Sequence, residues 1–235
     1  LLAKTTGRPV KIRLFRDDDQ KITGKRHPFL INYKVGFSTE GKLIALEVEL
    51  NADAGFATDL SMAILERAML HADNAYFIPN MHVTGRAYRT NLPSNTAFRG
   101  FGGPQGMVVI EEVLNRASAA LGIDGAELRR RNYYGPAPRD RTPYDQEIVH
   151  ADNRLERIHQ ELLQSAQYDE RQKGIAAFNA SHKHLKRGLG FMPVKFGISF
   201  TASFLNQAGA LAQLYSDGSV QLSHGGTEMG QGLHT

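Results

Sequence analysis

The chain has 235 residues, no cysteine and a net charge of +4. This length is enough for one large domain or two smaller ones with buried cores. The lack of cysteine excludes disulfides and thiolate-held iron–sulfur or zinc sites within these residues, and it fits a cytoplasmic protein. A small positive charge and no run of about 18 apolar residues argue against nucleic-acid binding and a membrane span.

Alternating apolar and polar residues predict strands in the first third of the chain. These predicted strands are residues 10–15, 31–37, 43–50 and 81–88. The turn-forming residues 38–42 join the second and third strands into a hairpin, and we expect this third of the chain to be an antiparallel sheet. The apolar segment 59–70 predicts a helix, whose start Asp59 or Ser61 can cap.

The middle of the chain has helical spacing, and its end returns to strands. Helices are predicted from Pro104 to Ala117, at 124–132 and at 153–167, and strands at 189–199, 209–215 and 220–223. The charged residues 168–187 predict a linker or an exposed helix. The mixture indicates an α+β fold rather than alternating βαβ units, with a first domain at 1–167 and a second beginning at 188–235.

Two glycine-rich loops are the strongest functional signal, at 98–105 and 225–232. Glycine allows backbone N–H groups to approach a ligand closely, and Phe101, which lies between glycines, is suited to stack on a flat ring. The loops therefore predict a polar, phosphate-bearing cofactor beside a flat substrate. A tight turn that leads into the helix at Pro104 explains the first loop equally well. The second loop has neither the sequence of a Walker loop nor a convincing dinucleotide fingerprint.

Several side chains have a structural and a functional interpretation. Considered on sequence alone, Arg67 is more simply an exposed helical arginine, and Glu228 is a loop carboxylate of ordinary pKa rather than a catalytic base. His182 and His184 are spaced poorly for a metal site and fit a solvated linker.

Two further groups are judged in the same way. Phe196, Phe200 and Phe204 recur every four residues, which is typical of a core, although polar neighbours also fit a pocket wall. Residues 129–131 are three consecutive arginines, which more often form a solvated or salt-bridged face than a nucleic-acid site.

Several motifs, in one order, resemble the molybdenum-cofactor subunit of the xanthine dehydrogenase and xanthine oxidase family. They are residues 24–30, 66–74, 95–105, 195–199, 204–211 and 225–235. The similarity covers nearly the whole chain and is weakest at 135–187. It implies the α+β fold of this family, with mixed sheets and packed helices, and a molybdenum–pyranopterin cofactor. The family hydroxylates purines with oxygen from water and passes electrons through [2Fe-2S] clusters and FAD to NAD⁺ or O₂.

The resemblance assigns roles to residues of this chain. Arg67 is implied to contact the purine and to stabilise charge that develops on it, Phe101 to stack on its face and Phe200 to meet it edge-on. The substrate channel is implied to include Leu60, Thr201, Phe204 and Leu205. The cofactor site is implied to include Arg99, Gly100, Met229, Gly230 and Gln231. Main-chain atoms at Arg99 are implied to lie near the metal.

The chain also departs from the family pattern. Ala63 replaces a serine of the mammalian type, and Ala202-Ser203 replaces Val-Pro, so the channel is expected to differ in detail. A substrate-facing glutamate is expected before residue 1 and the base glutamate beyond Thr235. The chain alone is therefore expected to be inactive.

The implied partners are a purine substrate and iron–sulfur and FAD modules, in a homodimer or a heterotetramer, with no nucleic acid and no membrane. Two alternatives stay open. The same family includes enzymes for aldehydes or other N-heterocycles, although Arg67 favours purines because the aldehyde oxidases have a less polar residue there. A protein of another class, a non-catalytic nucleic-acid-binding module, would bind through residues 129–131.

Overall fold

The computed structural model describes residues 1–235, with the side chain of His150 excepted. The helices are α1 (Leu2–Thr6), α2 (Arg16–Ile22), α3 (Ser61–Leu70), α4 (Gly103–Leu121), α5 (Gly125–Arg131), α6 (Leu155–Ser165) and α7 (Tyr168–Ser181). The strands are β1 (Phe29–Phe37), β2 (Leu43–Gly55), β3 (Asn80–Arg89), β4 (Ala210–Leu214) and β5 (Val220–His224). No helix of the described chain has both the length and the apolar character to cross a bilayer.

Strands β1, β2 and β3 form one sheet in that order. The predicted hairpin is confirmed, because β1 pairs antiparallel with β2 across the turn at 38–42. The prediction of a wholly antiparallel sheet is wrong, since β3 runs parallel to β2. The cause is α3, which carries the chain back across the sheet so that β3 starts at the same end as β2. The fold nevertheless belongs to the predicted α+β class, and β2–α3–β3 is its one βαβ unit with parallel strands among the described elements.

The core lies between this sheet and the helices α3, α4 and α5. Leu50 of β2, Ile110 and Leu114 of α4 and Leu128 of α5 are all fully buried there. Burying an aliphatic side chain stabilises a fold by about 1.5–3 kcal/mol, so these elements form a rigid platform. The platform positions two predicted site residues, because Arg67 lies on α3 and Phe101 lies in the loop directly before α4.

Two predicted strands are wrong. Residues 10–15 are irregular, and Ile12 and Phe15 keep 85% and 75% of their surface exposed. Alternation alone is not enough for a strand, which needs a hydrogen-bonded neighbour, and the sheet's positions are taken by β1–β3. Residues 189–199 are also irregular. Their polar backbone groups are bound by side chains of α3 and of the turn after it, described below, instead of by a strand.

The predicted helices are confirmed with small shifts at their ends. Pro104 lies in the first turn of α4, and the carboxylate of Asp124 caps α5 by accepting from the N–H groups of Ala126 and Glu127. The predicted cap of α3 is wrong, because Leu60 occupies that position without a side-chain capping bond. The hydroxyl of Ser61 is instead 2.8 Å from Nε2 of buried His27.

The last part of the chain has little secondary structure. Helix α7 occupies most of the segment predicted as a linker or an exposed helix, and β4 and β5 form the predicted hairpin. All residues of both strands are exposed. The domain boundaries at 167 and 188 stay a prediction.

Candidate functional site

Arg67 is buried near the end of α3, with 4% of its surface exposed. Its guanidinium donates to the carbonyls of Gly197 and Ser199. It also lies 5.7 Å from the ring centre of Phe101 and 5.3 Å from that of Phe196. The interpretation of an exposed helical arginine is therefore wrong. Burial lowers the pKa of Arg67, but arginine keeps its charge in proteins, so a desolvated cation faces aromatic rings.

Phe101 and Phe200, the two rings with predicted substrate roles, lie together. Their centres are 5.6 Å apart and their planes make an angle of 55°. Phe101 has a positive φ of 47° and sits beside Gly102, whose φ is 96°. A Cβ on Gly102 would lie 2.0 Å from the carbonyl oxygen of Ile64, so only glycine allows this loop to pack so closely on α3. Close packing of the loop on α3 is what brings Phe101 beside Arg67.

The two glycine-rich loops meet through Arg99. Its Nη1 donates to the carbonyl of Met229 at 3.0 Å. Gly230, with φ 92°, lies so close that a Cβ would be 2.9 Å from the same nitrogen. Gln231 braces the second loop from within, because its amide donates to the carbonyl of Thr227 and accepts from the N–H of Met229. The structure thus brings together residues that the sequence separates by about 130 positions.

Arg26 supports the main chain of the first loop from the other side. Its Nη2 donates to the carbonyl of Arg99 at 2.7 Å, and its guanidinium lies 4.4 Å from the ring centre of Phe98. Its Nη1 is buried and has no hydrogen-bond partner among the described residues. A buried cationic N–H without a partner is costly, and an anionic group beside it would relieve that cost. Together with the glycine loops, this nitrogen fits a polar, anionic cofactor.

Glu228 supports the second loop and is not placed as a base. Its carboxylate accepts from the N–H groups of Gly230, Gly232 and His234. Desolvation raises the pKa of Glu228, but these backbone donors outweigh it and hold the pKa below its usual range. The prediction of a loop carboxylate is confirmed, whereas the prediction of an ordinary pKa is wrong.

Of the remaining predicted channel residues, Leu60 directly precedes α3 and Thr201 contacts the later half of that helix. Thr201 donates its hydroxyl hydrogen to the carboxylate of Glu66 at 3.0 Å. Phe204 and Leu205 belong to a short 3₁₀ turn and are exposed, Phe204 at 81%. Of the three recurring phenylalanines, Phe196 and Phe200 contact site residues and Phe204 does not belong to a core.

Residues 193–199, which we call the docked segment, are held against α3 by three polar residues that sequence reasoning missed. They are His71, Asp73 and Asn74. Asn74 accepts from the N–H of Lys195 and donates to the carbonyl of Pro193, while Lys195 pairs with the carboxylate of Asp73. His71 binds the N–H of Gly197. Their sequence signals are the position of all three within the family motif 66–74 and their polarity directly after an apolar helix.

The three consecutive arginines are salt-bridged. Arg129 is buried and pairs with Glu111 at 2.8 Å, and Arg130 and Arg131 both pair with Glu127. The bond from Arg130 is the main reason that the pKa of Glu127 falls to about 2. All three arginines therefore form ion pairs with carboxylates. The alternative of a nucleic-acid-binding module has no support.

His182, one of the two histidines at 182 and 184, stacks on Phe178 with ring centres 3.7 Å apart. Across the described side chains, no three histidine or acidic residues are grouped to hold a metal ion.

Two family models match the chain, both described as molybdopterin cofactor-binding domains, over residues 1–133 and 161–235. The fold and the two meeting glycine loops thus define a class: the chain belongs to the molybdopterin cofactor-binding domain family. The xanthine dehydrogenase/oxidase of Felis catus is 53% identical over 100% of this chain and 17% of its own length. The xanthine dehydrogenase of Dictyostelium discoideum is 48% identical over 97% of this chain and 16% of its own length.

Solved structures show the same fold. The aldehyde oxidoreductase of Desulfovibrio desulfuricans superposes with a TM-score of 0.72 at 24% identity, over 94% of this chain and 23% of that one. The enzyme from Desulfovibrio gigas gives 0.65 at 26% identity, over the same shares. The chain spans only 17% of the length of the cat protein, so that relative contains much more protein than these residues. The predicted fold and molybdopterin cofactor are confirmed.

Proposed function

We propose that this chain is part of a xanthine dehydrogenase-type molybdenum hydroxylase, which oxidises hypoxanthine and xanthine to urate with oxygen from water. The observation that carries this proposal is the buried cation of Arg67 beside the rings of Phe101 and Phe200. Two relatives that are about 50% identical over the length of this chain are named as a xanthine dehydrogenase/oxidase and a xanthine dehydrogenase. A flat, polar heterocycle that gains negative charge during oxidation matches this combination of rings and cation.

In this proposal each side chain contributes binding or charge stabilisation. Phe101 and Phe200 hold the purine ring by its face and its edge, as aromatic pairs prefer. Arg67 stabilises negative charge that develops on the purine, and its effect is large because the guanidinium is desolvated. The carbonyls of Gly197 and Ser199 hold the guanidinium of Arg67 in one orientation before the substrate binds. Leu60, Thr201, Phe204 and Leu205 form the channel wall, a role that rests on the resemblance.

The cofactor side of the site consists of main chain, the amide of Gln231 and the guanidinium of Arg26. Arg99, Gly100, Met229, Gly230 and Gln231 would hold the molybdenum–pyranopterin, with Arg26 contributing its unpartnered buried N–H. When bound, the group supplies the two-electron oxidation of the substrate carbon. The protein supplies orientation, a preset backbone and the exclusion of water by the packed aromatic rings.

The complete enzyme needs parts beyond these residues. We propose that a substrate-facing glutamate and the base glutamate lie outside them, together with the [2Fe-2S] clusters and FAD that pass electrons to NAD⁺ or O₂. A homodimer or a heterotetramer is the proposed assembly, and location in the cytoplasm stays a prediction of the sequence. The two units proposed for this chain are residues 1–167 and 188–235.

The alternative substrate is an aldehyde or another N-heterocycle. Ala63 on α3 and Ala202 next to Thr201 are small residues near the proposed channel, and a wider channel would admit other substrates. The full-length enzyme carrying Arg67→Leu separates these possibilities. Loss of transition-state charge stabilisation is expected to lower kcat/KM for xanthine by about 100-fold or more, because one such donor typically contributes that much.

Aldehydes do not need the cation, and their kcat/KM is expected to change by less than about threefold. Arg116→Leu, at an exposed arginine of α4 paired with Glu112, is the matched control and should leave both substrates unaffected. Equal losses on xanthine and on aldehydes would contradict the purine assignment.

A further inference from the structure

His71 is buried where the last turn of α3 meets the docked segment. It keeps 5% of its surface exposed, and its ring lies 5.1 Å from that of Phe196. Nδ1 is 2.8 Å from the carbonyl oxygen of Arg67, and Nε2 is 2.9 Å from the backbone nitrogen of Gly197. Both ring nitrogens are therefore bonded to backbone, one on each side of the contact between helix and segment.

The two partners determine the protonation state of this ring. A carbonyl only accepts, so Nδ1 must carry hydrogen, and an N–H only donates, so Nε2 must present its lone pair. Only the neutral form with hydrogen on Nδ1 satisfies both bonds, since a second ring hydrogen would face the N–H of Gly197. The buried ring, bonded through both nitrogens, therefore bridges α3 and the docked segment in one fixed orientation. We call this pair of hydrogen bonds the bridge.

The charges around the ring favour the same neutral form. Desolvation is the main cause that lowers the pKa of His71, and the positive charges of Lys195 and Arg67 add to it. The bond to the carbonyl of Arg67 and the charge of Asp73 oppose this shift. The facing first turn of α4 contains no charged side chain between Gly103 and Gly106.

The bridge acts on the same residue that accepts from Arg67, through the two peptide groups that flank its Cα. Gly197 donates its N–H to His71 and accepts from Arg67 through its carbonyl, and Ser199 two residues later accepts the second guanidinium bond. Phe196 packs between them, at 5.3 Å from the guanidinium. Loss of the His71 bond would release the peptide group before Gly197, and the permissive dihedrals of this glycine would let the next peptide group, whose carbonyl accepts from Arg67, change its direction.

We propose that His71 is a positioning residue, which fixes the docked segment by its Nε2 acceptor and thereby aims the guanidinium of Arg67 at the substrate beside Phe101. The effect on turnover rests on the proposed function, whereas the effect on the position of Arg67 does not. Asp73 and Asn74 hold the start of the docked segment, and His71 holds the part that touches Arg67.

The test uses the full-length enzyme with three variants. His71→Phe keeps a flat ring and removes both polar contacts, and His71→Gln restores an acceptor that can reach the N–H of Gly197. His159→Phe is the matched control. His159 is another buried histidine, 3.0 Å from the hydroxyl of Tyr133 and packed on Phe191, and it has no part in the site.

Two measurements are made on each variant. Amide hydrogen exchange reports protection of the Gly197 N–H, which is independent of turnover, and steady-state kinetics report kcat and KM for xanthine and for an aldehyde. We expect His71→Phe to speed exchange at Gly197 by about tenfold and to lower kcat for xanthine by about tenfold, because one or two hydrogen bonds are lost. The aldehyde rate should change by less than about twofold, His71→Gln should recover most of the loss, and His159→Phe should show neither effect.

A double-mutant cycle completes the test. In the Arg67→Leu background, His71→Phe should have almost no further effect on xanthine, because the residue it positions is gone. Unchanged exchange at Gly197, equal losses on xanthine and aldehyde, or an undiminished loss in that background would each overturn the proposal. If the unmodified enzyme does not oxidise xanthine, the proposed function fails, and exchange at Gly197 still decides whether His71 fixes the segment that holds Arg67.

Discussion

The two regions that meet at the candidate site are held in place by different forces. Residues 29–134 contain the sheet and α3–α5, where Leu50, Ile110 and Leu114 are fully buried. Residues 185–235 have mostly exposed apolar side chains and contact the first region through hydrogen bonds, one ion pair and a few aromatic contacts, such as that of Phe200 with Phe101. The first region supplies Arg67 and Phe101 on a rigid platform, and the second supplies the partners of Arg67 and the second glycine loop.

This difference separates stability from positioning. A buried aliphatic side chain contributes about 1.5–3 kcal/mol, whereas a hydrogen bond contributes a net of about 1 kcal/mol. Substitutions in the first region should therefore change the stability of the fold. Substitutions at the contacts of the second region should change the site while the platform stays folded.

The largest expected effect is on the platform, at Glu111 of α4. Its carboxylate pairs with buried Arg129 and accepts from the hydroxyl of Tyr76 at 2.6 Å and from the amide of Asn74 at 2.9 Å. Glu111→Ala leaves the charge of Arg129 buried without a counterion and should destabilise the fold by about 3–5 kcal/mol. Native-state hydrogen exchange of the α4 amides measures this loss in the full-length protein.

The neighbouring residue provides a matched control for that substitution. Glu112 pairs with Arg116 on the exposed face of the same helix. Exposed pairs contribute little, so Glu112→Ala should leave exchange of the α4 amides unchanged. Similar losses for both substitutions would mean that the buried network does not distinguish the platform from the surface.

The second effect is at Gly102, where the first glycine loop packs on α3. In Gly102→Ala the new Cβ would collide with the carbonyl of Ile64, and φ of 96° is already unfavourable for alanine. We expect destabilisation of about 2–4 kcal/mol, with displacement of Phe101 in a crystal structure.

A substitution at Gly122, at the end of α4, distinguishes the effect of a steric collision from the effect of an unfavourable backbone conformation. Gly122 also has a positive φ, of 66°, but no atom lies within 4 Å of a Cβ built there. Gly122→Ala should cost only about 1 kcal/mol, which is the price of the left-handed conformation. If both alanine substitutions have the same effect, close packing of the loop on α3 is not what positions Phe101.

The smallest expected effect sharpens the role of the second region. Arg99→Met removes the bond to the carbonyl of Met229, which joins the two glycine loops, and leaves the platform intact. Loss of about 1 kcal/mol corresponds to roughly fivefold weaker cofactor retention. Molybdenum and pterin content of the purified full-length enzyme measures this. Unfolding should be unchanged, and Arg116→Met on α4 should retain the cofactor fully.

Periodicity predicted most elements of the platform but not how they pair. Local patterns predict the hairpin of β1 and β2 and helices at 59–70 and 104–117, which the structure has at 61–70 and 103–121. The parallel pairing of β2 with β3 was not predicted, since it depends on the path of α3 over the sheet. Residues 189–199 were predicted as a strand because strands and docked irregular segments can share the same apolar alternation.

The candidate site shows the same division. The glycine loops and Phe101 were found from sequence because glycine has few other reasons to cluster so closely with aromatic residues. The burial of Arg67 was not, because a helix containing one arginine looks the same whether that arginine faces solvent or a partner segment. His71 and Asn74 were missed because their hydrogen-bond partners are backbone groups more than 100 residues away.

By itself the sequence determined the helices α3 to α6 and the hairpin of β1 and β2, and its motifs indicated the molybdopterin class. These features depend on local spacing, on glycine's conformational freedom and on the order of short motifs. Only the tertiary structure decided that Arg67 is a buried cation, that its carbonyl partners come from residues 197–199, and that Arg99 joins the two loops. The physical reason is that burial and hydrogen-bond direction are properties of segments brought together from distant positions, and no local pattern encodes them.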